Sequence, residues 1–575
     1  MILALWLLPF LTPMILAGII ALTRPPDRVV GWLLGLAAFP AFLLALQGSL
    51  AAEVDFARFF LGAHFEMDAT RRLFLLFSSL LYGLAGWFTG SYQAHDENRI
   101  RFDVFFLLSM AGNLGLIMAG DIVTFYAFFV LMTFSAFGVV VHTWTPGAQR
   151  AGHIYLILAV VGEVFLLAAI FLAAHAAGSI LVSDLGPAVA QADNRDLIVG
   201  LALMGFGVKV GAIPLYFWLP LAHPVAPTPA SAVLSAAMLK AGLLGWLHLL
   251  PLGEVSLPGW GGLAIGAGLT AALGGALVGL TQTHPKAALA YSSISQMGLL
   301  TVYLGLGLKA GADWPALAPG LAFFALHHGL AKGALFLGTG VIAVARQGGR
   351  WILAGMLLPG LVLAGAPATT GALAKESLKQ AATSAPSGWV TLLTYGLPLS
   401  TLLTTLLVGR ILWTSRQVMG QHPHGTLKGL LPAWLVLLVL LALAPWWANL
   451  ALAQPLPWPG LKATLLALLP LLGGVVLAAL TLSRGWLKSW SGCIPPGDLL
   501  VPLERMVETA RHRIQASLAG LWKRDFLNLM HWADRIIALE MGRSVVDIVE
   551  RRLGTWAMIG LLFLSTLLLL LWSLR

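Results

Sequence analysis

The chain has 575 residues, of which 59% are hydrophobic and 10% charged, with a mean hydropathy of +0.87. No soluble core absorbs that much apolar surface, so the composition excludes a water-soluble globular protein and specifies an all-α, multi-pass membrane protein. The excess of 34 Lys and Arg over 24 Asp and Glu fits membrane topology better than nucleic-acid binding, and the single cysteine, Cys493, excludes an intramolecular disulfide and any cysteine-ligated zinc or iron–sulfur site.

Windows of about 20 apolar residues predict about sixteen spans, at residues 2–21, 29–50, 73–92, 102–119, 121–141, 154–176, 197–217, 228–250, 258–281, 287–307, 316–345, 352–375, 389–413, 430–450, 461–482 and 555–574. The first stretch has no basic leader and no small-residue cleavage site, so it reads as a retained helix and not a signal peptide. One set of short loops carries Arg24, Arg28, Arg99, Arg101, Arg150, Lys286, Arg346, Arg350, Arg416, Lys428, Arg484 and Lys488; the opposite set carries Arg58, Arg71, Arg72, Arg195, Lys309 and Lys379. That bias places the N-terminus outside a cell inner membrane. With sixteen spans the C-terminus is outside too, and the segment 499–553 is cytoplasmic.

Pro214 lies in span 7, Pro227 and Pro229 open span 8, and Pro367 lies in span 12 between Gly365 and Gly371. Proline removes a helix hydrogen bond, so spans 7 and 12 should be broken. Broken helices at matching places in two halves mark ion pathways in transporters. Spans 7 and 12 are five apart, which suggests two five-helix repeats, spans 4–8 and 9–13. The predicted organisation is spans 1–3 in 1–101, a first repeat in 102–250, a second in 258–415, spans 14–15 in 430–482, the segment 499–553, and a last span in 555–575.

Ionisable residues interrupt the apolar spans. Lys209 sits in the middle of LIVGLALMGFGVKVGAIPLYFWL; Lys240, Lys332 and Lys375 lie in or at the edge of others, and Glu163 falls within span 6. Each such lysine costs about 2.5–3.5 kcal/mol on insertion scales, so their recurrence points to charge moving through the interior. His328 precedes Lys332 by one helical turn. A lysine suits this task because desolvation favours loss of its proton and an approaching carboxylate favours keeping it. Lys209 could instead be a snorkelling lysine. His327 competes with a packing role, since two adjacent histidines face different ways. His223 and His284 read as hydrogen-bonding loop residues, Asp121 as a helix N-cap, and His248 and Arg410 as interfacial. The segment 499–553 alternates apolar and charged residues at helical spacing. A continuous helix there would be on the order of 80 Å long and too charged to span, so it should lie along the membrane surface or along neighbouring subunits; two or three shorter helices are the alternative.

Three stretches, WLPLAHPVAPTPASAVLSAAMLKAGLLGW, HPKAALAYSSISQMGLL and HHGLAKGALFLGTG, resemble the antiporter-like membrane subunits shared by respiratory complex I, membrane-bound hydrogenases such as formate hydrogenlyase, and Mrp cation/proton antiporters. GDIVTFYAFFVLMTFSAFG is similar to that family's fifth helix. The resemblance covers about residues 65 to 415, and the AHP form of the proline motif is nearest to the hydrogenase type. The amphipathic segment with one last span resembles the lateral helix of the distal complex I subunit, which braces its neighbours.

The resemblance implies a midplane relay of Lys209, Lys240, His328, Lys332 and Lys375, with His327 and His223 secondary. No cofactor and no metal site is expected from the motifs present. The implied partners are other integral membrane subunits, contacted partly by 499–553, together with the bilayer and a translocated proton or sodium ion. The family's fifth helix carries a glutamate that pairs with the seventh-helix lysine; here Val130 stands in its place. Either Glu163 replaces it from the next helix, which is the expectation, or this half has lost its switch. No dinucleotide fingerprint, P-loop or cysteine cluster supports redox chemistry in this chain alone; service in a proton-pumping oxidoreductase is left open. The competing readings are a non-pumping anchor and an inorganic-carbon uptake subunit.

Overall fold

In the computed structural model the described residues are 2–47, 53–56, 62–94, 96–383, 387–422, 425–450, 452, 455–485, 489–502, 504, 506 and 508–509. In chain order the helices are α1 Ile2–Thr23, α2 Asp27–Leu36, α3 Phe39–Leu46, α4 Ala69–Tyr92, α5 Arg99–Met118, α6 Ile122–Val140, α7 Pro146–Ala177, α8 Val182–Gln191, α9 Arg195–Val210 and α10 Trp218–Val225. There follow α11 Thr228–Val233, a π-turn Leu234–Met238, α12 Leu239–Leu249, α13 Pro258–Thr281, α14 Pro285–Ala310, α15 Trp314–Val344, α16 Gly349–Ala364, α17 Thr370–Thr383, α18 Ser387–Gln417, α19 Leu427–Leu450 and α20 Leu461–Ser483. A two-stranded antiparallel hairpin, β1 Glu53–Phe56 with β2 Ala63–Glu66, precedes α4. Neither the hairpin nor α8 was expected from the hydropathy pattern.

Among the described residues twelve helical stretches are long and apolar enough to cross a membrane, one of which, Pro285–Val344, contains both α14 and α15. Of the three expected spans left, two are split, as α9–α10 and α16–α17. The break in span 7 sits where expected, but its second half runs on to Val225. Predicted span 16 and most of 499–553 lie outside the described residues.

Local sequence explains the ends. The Asp121 carboxylate accepts from the Thr124 backbone N–H at 2.8 Å and caps α6 as expected, while Thr145 caps α7 ahead of Pro146. The first two helices of each five-helix set meet through glycines. A Cβ on Gly112 of α5 would lie 2.5 Å from the Met132 nitrogen of α6. On α13 and α14, a Cβ on Gly268 would lie 2.6 Å from the Gly298 carbonyl oxygen, and one on Gly298 2.5 Å from that of Gly268. Small residues let membrane helices approach this closely.

The neighbour pattern recurs between the sets. α5 packs on α6 as α13 packs on α14; α7 packs on α9 and α10 as α15 packs on α16 and α17; α12 closes on α9 as α18 closes on α16. The sets also interlock, with α10 against α14 and both α11 and the π-turn against α15.

The segment after α20 returns across both sets. Arg410, expected at an interface, is fully buried; its Nε donates to the Gln282 carbonyl at 2.8 Å and its Nη2 to the Ser491 hydroxyl at 2.7 Å. Asp498 accepts from the hydroxyls of Tyr216 and Tyr291, each at 2.8 Å. His248 is also buried, its ring edge-on to Phe125 at 5.4 Å, because its helix is packed on every side. Both residues sit near span ends, where hydropathy suggests water, but neighbouring elements cover them.

Candidate functional site

Each broken span ends in carbonyl groups that lack the usual i+4 partner, and in both cases a side chain from beyond the break donates to one. In span 7, Gly211 ends α9 with φ +73°, and the Trp218 indole of α10 donates to the Val208 carbonyl at 2.9 Å. In span 12, Gly365 ends α16 with φ +87°, and Lys375 Nζ of α17 donates to the Ala364 carbonyl at 2.9 Å and to Thr401 Oγ1 at 3.1 Å. A cation at a helix C-terminus is favoured by the macrodipole; Lys209, in the last turn of α9, shares that advantage. Lys375 also lines a cavity of about 740 Å³ walled by α17, α18 and α20.

Lys209 is 5% exposed. Its ammonium donates to Thr133 Oγ1 at 3.1 Å and to the Tyr155 hydroxyl at 3.0 Å, and Tyr155 donates to the Thr133 carbonyl at 2.9 Å. Glu163 is half-buried, because α7 presents Val160, Val161 and Val164 outward. Its Oε2 accepts from the Tyr126 hydroxyl at 3.0 Å, and its buried Oε1 has no partner. Lys209, Glu163, Thr133, Tyr155 and Trp218 line one cavity of about 10 Å³, at the threshold for a single water. The two groups thus share a chamber, and no ion pair joins them among the described residues. Tyr126 and Thr133 lie on either side of Val130 on α6.

Lys240 and Lys332 are 1% and 0% exposed. Lys240 Nζ donates to the Ser235 carbonyl in the π-turn at 2.7 Å, and Lys332 Nζ to the Leu289 carbonyl of α14 at 2.9 Å. His327 and His328 are both fully buried and face different neighbours. His327 Nδ1 is 3.1 Å from Thr370 Oγ1, at the start of α17, and Lys375 and Lys240 act on it electrostatically. His328 is influenced by Lys240, Lys332 and His327, and neither ring nitrogen has a hydrogen-bond partner. His223 is not a hydrogen-bonding loop residue: it lies buried in α10, stacked on Phe336 at 4.7 Å, with both nitrogens unpartnered. His284 does hydrogen-bond, as the N-cap of α14, where Nδ1 accepts from the Lys286 backbone N–H at 3.2 Å. Burial, then the Lys286 charge, pushes His284 down to about 4, so it is a neutral acceptor at neutral pH.

The structure therefore gathers Glu163 with Lys209, Lys240 with Lys332 and His328, and His327 with Lys375. Sequence reasoning missed Tyr126, Thr133, Tyr155, Ser235, Ser293, Thr370 and Thr401. Hydroxyl residues carry little cost in a hydropathy window, so nothing in the apolar pattern marks them.

A helical bundle with two broken spans and buried lysines held by hydroxyl and carbonyl oxygens defines a multi-pass, all-α class of membrane protein with broken helices. Residues 119–402 match the family described as NADH:quinone oxidoreductase/Mrp antiporter, transmembrane part. This central part of the chain is similar to the antiporter-like membrane subunit family. The chain is 30% identical to hydrogenase-4 component B of Escherichia coli (strain K12) over 292 residues, covering 48% of this chain and 43% of that one. It is 32% identical to the putative antiporter subunit mnhA2 of Staphylococcus saprophyticus subsp. saprophyticus over 343 residues, 54% of this chain and 42% of that one. The chain thus spans less than half the length of these curated relatives. Among solved structures, a chain of the Mrp complex from Dietzia sp. DQ12-45-1b superposes with a TM-score of 0.69 at 22% identity, covering 94% of this chain and 62% of that chain, a likeness of fold.

Proposed function

We propose that this chain is a proton- or sodium-translocating subunit of a multisubunit membrane complex, moving charge along Glu163, Lys209, Lys240, His328, Lys332 and Lys375, with His327 between Lys240 and Lys375. The carrying observation is that four lysines, each at most 9% exposed, hold their ammonium groups on hydroxyls and backbone carbonyls and not on carboxylates. Burying charge without a counter-charge is costly and is retained where the charge has work to do. The two repeats, 102–250 and 258–415, each contribute one broken span to the path. The chain sits in a cell inner membrane with its N-terminus outside, and 499–553 lies on the cytoplasmic side against neighbouring subunits.

The test is ion flux per assembled complex for Lys332→Ala, Lys375→Ala and Lys309→Ala. Lys309 Nζ reaches only the Pro258 carbonyl at the chain's periphery. Flux should fall about a hundredfold or more in the first two, as on loss of a positioned proton-transfer group, and stay near wild type in the third. Equal flux in all three would put the non-pumping anchor reading ahead.

A further inference from the structure

Between Lys240 in the first set and Lys332 in the second lies a pair of serines that the relay reading does not use. Ser235, in the π-turn, and Ser293, on α14, are both fully buried, and their hydroxyl oxygens are 2.7 Å apart. Lys240 Nζ rests on the carbonyl of Ser235 itself. On the other side, Ser293 Oγ donates to the Leu289 carbonyl at 3.0 Å, the same oxygen that receives Lys332 Nζ at 2.9 Å. Two donors converging on one oxygen are neighbours. Lys240 therefore bonds the Ser235 carbonyl, and from the hydroxyl of that same residue hydrogen bonds run through Ser293 to the Leu289 carbonyl, which Lys332 shares. The π-turn places Ser235 there; such turns interrupt an α-helix at functional positions more often than elsewhere. His328, the other group near both lysines, has no hydrogen bond to either.

We propose that the Ser235–Ser293 hydroxyl pair is the crossing at which a proton passes from Lys240 to Lys332 between the two sets of helices. This rests on the relay reading with a proton as cargo. The Lys240 ammonium turns from the Ser235 carbonyl to the Ser235 hydroxyl of the same residue and gives up one proton. Ser235 Oγ passes its own proton to Ser293 Oγ, which passes its own to the neutral amine of Lys332. Each hydroxyl loses one proton as it gains one, so both serines end as they began, Lys240 ends neutral and Lys332 ends as the ammonium. A carbonyl oxygen has no proton to pass on, so it can anchor each lysine at rest but cannot replace the hydroxyls.

Threonine and valine have the same shape and differ by the hydroxyl, so strain from the added methyls cancels when they are compared. Proton flux per assembled complex should stay close to wild type in Ser235→Thr and Ser293→Thr. It should fall about a hundredfold in Ser235→Val and Ser293→Val, the low end of what a positioned proton-transfer group contributes. Should the methyls block assembly, Ser235→Ala with Ser293→Ala carries the same expectation of loss. Thr270→Ala, an exposed hydroxyl bonded only to its own helix, is the control and should not change flux. Equal flux in the threonine and valine variants, or unchanged flux in the double alanine variant, overturns the crossing. If Lys240→Ala and Lys332→Ala lose flux in the same preparations, the relay reading survives that result. If those lysine variants also keep full flux, the relay reading itself fails.

Discussion

Replacing Tyr126 with phenylalanine isolates the hold on Glu163. The substitution removes one hydroxyl and keeps the ring. Glu163 Oε2 then loses the 3.0 Å bond it accepts from Tyr126, and Oε1 has no partner to compensate. A hydrogen bond to a charged group contributes about 1.5–3 kcal/mol, and half-burial of Glu163 favours the lower end. At about 1.4 kcal/mol per decade, the held position loses roughly a tenfold preference. The released carboxylate shares a one-water chamber with the Lys209 ammonium, so the two should pair more of the time. A path that needs them to separate in each cycle should slow by roughly the same tenfold factor. The assay is ion flux per assembled complex, read beside the carboxylate stretching band of Glu163 in difference infrared spectra, assigned with Glu163→Gln. Unchanged flux together with an unchanged band in Tyr126→Phe would refute the hold. Full flux in Glu163→Gln would remove Glu163 from the path altogether.

Two further outcomes test the scaffold. Gly298→Ala places a Cβ 2.5 Å from the Gly268 carbonyl oxygen and 2.7 Å from the Ala272 nitrogen, both backbone atoms, so α13 and α14 must part; thermal unfolding in detergent should show a loss of about 1–3 kcal/mol, whereas Gly274→Ala, with nothing within 4 Å, should not. Asp96, in the loop before α5, is held below its ordinary 3.8 chiefly by its hydrogen bond with His142 at 3.0 Å. A depressed carboxylate stabilises the fold above its unfolded pKa and loses that contribution as pH falls through the lowered folded value. The stability gap between wild type and Asp96→Asn should therefore be constant near neutral pH and close below about 3.8; a gap that stays constant through this range refutes the assignment.

Hydropathy made the bundle legible because every lipid-crossing helix must be apolar over its length, whatever it packs against. The two breaks were legible because proline and glycine act locally on the backbone. Both Lys209 and Lys375 stood out for the same reason as each other, a charge in an apolar run. What escaped was whatever depends on a partner distant in sequence. Arg410 looks interfacial until Gln282 and Ser491 are seen to enclose it. Ser235 looks like an ordinary small residue until α14 brings Ser293 to 2.7 Å. Glu163 was picked out as the acid nearest to Lys209 in the sequence pattern, yet its hydrogen bond to Tyr126 was not legible, since a tyrosine in an apolar span carries no such mark.

The resemblance expects a glutamate where Val130 stands, and that difference bears on how these lysines are held. Removing one partner of a buried ion pair costs about 3–5 kcal/mol, so a carboxylate at Val130 would tie Lys209 strongly to one place. With valine there, Lys209 rests on Thr133 and Tyr155, Lys240 and Lys332 on backbone carbonyls, and Lys375 on a carbonyl and Thr401. Neutral oxygens hold an ammonium less tightly than a carboxylate does and can be exchanged one for another. Carboxylate partners occur instead toward the helix ends and in loops, at Arg71 with Glu66 and Asp68, Arg99 with Asp27 and Asp103, His142 with Asp96, and Arg150 with Glu504. Fixed charges thus clamp the ends of the bundle, while the interior lysines keep partners they can leave. That division favours charge movement through the centre over a purely structural role, because a bundle needing only cohesion is stabilised as well or better by well-packed apolar residues at the same sites.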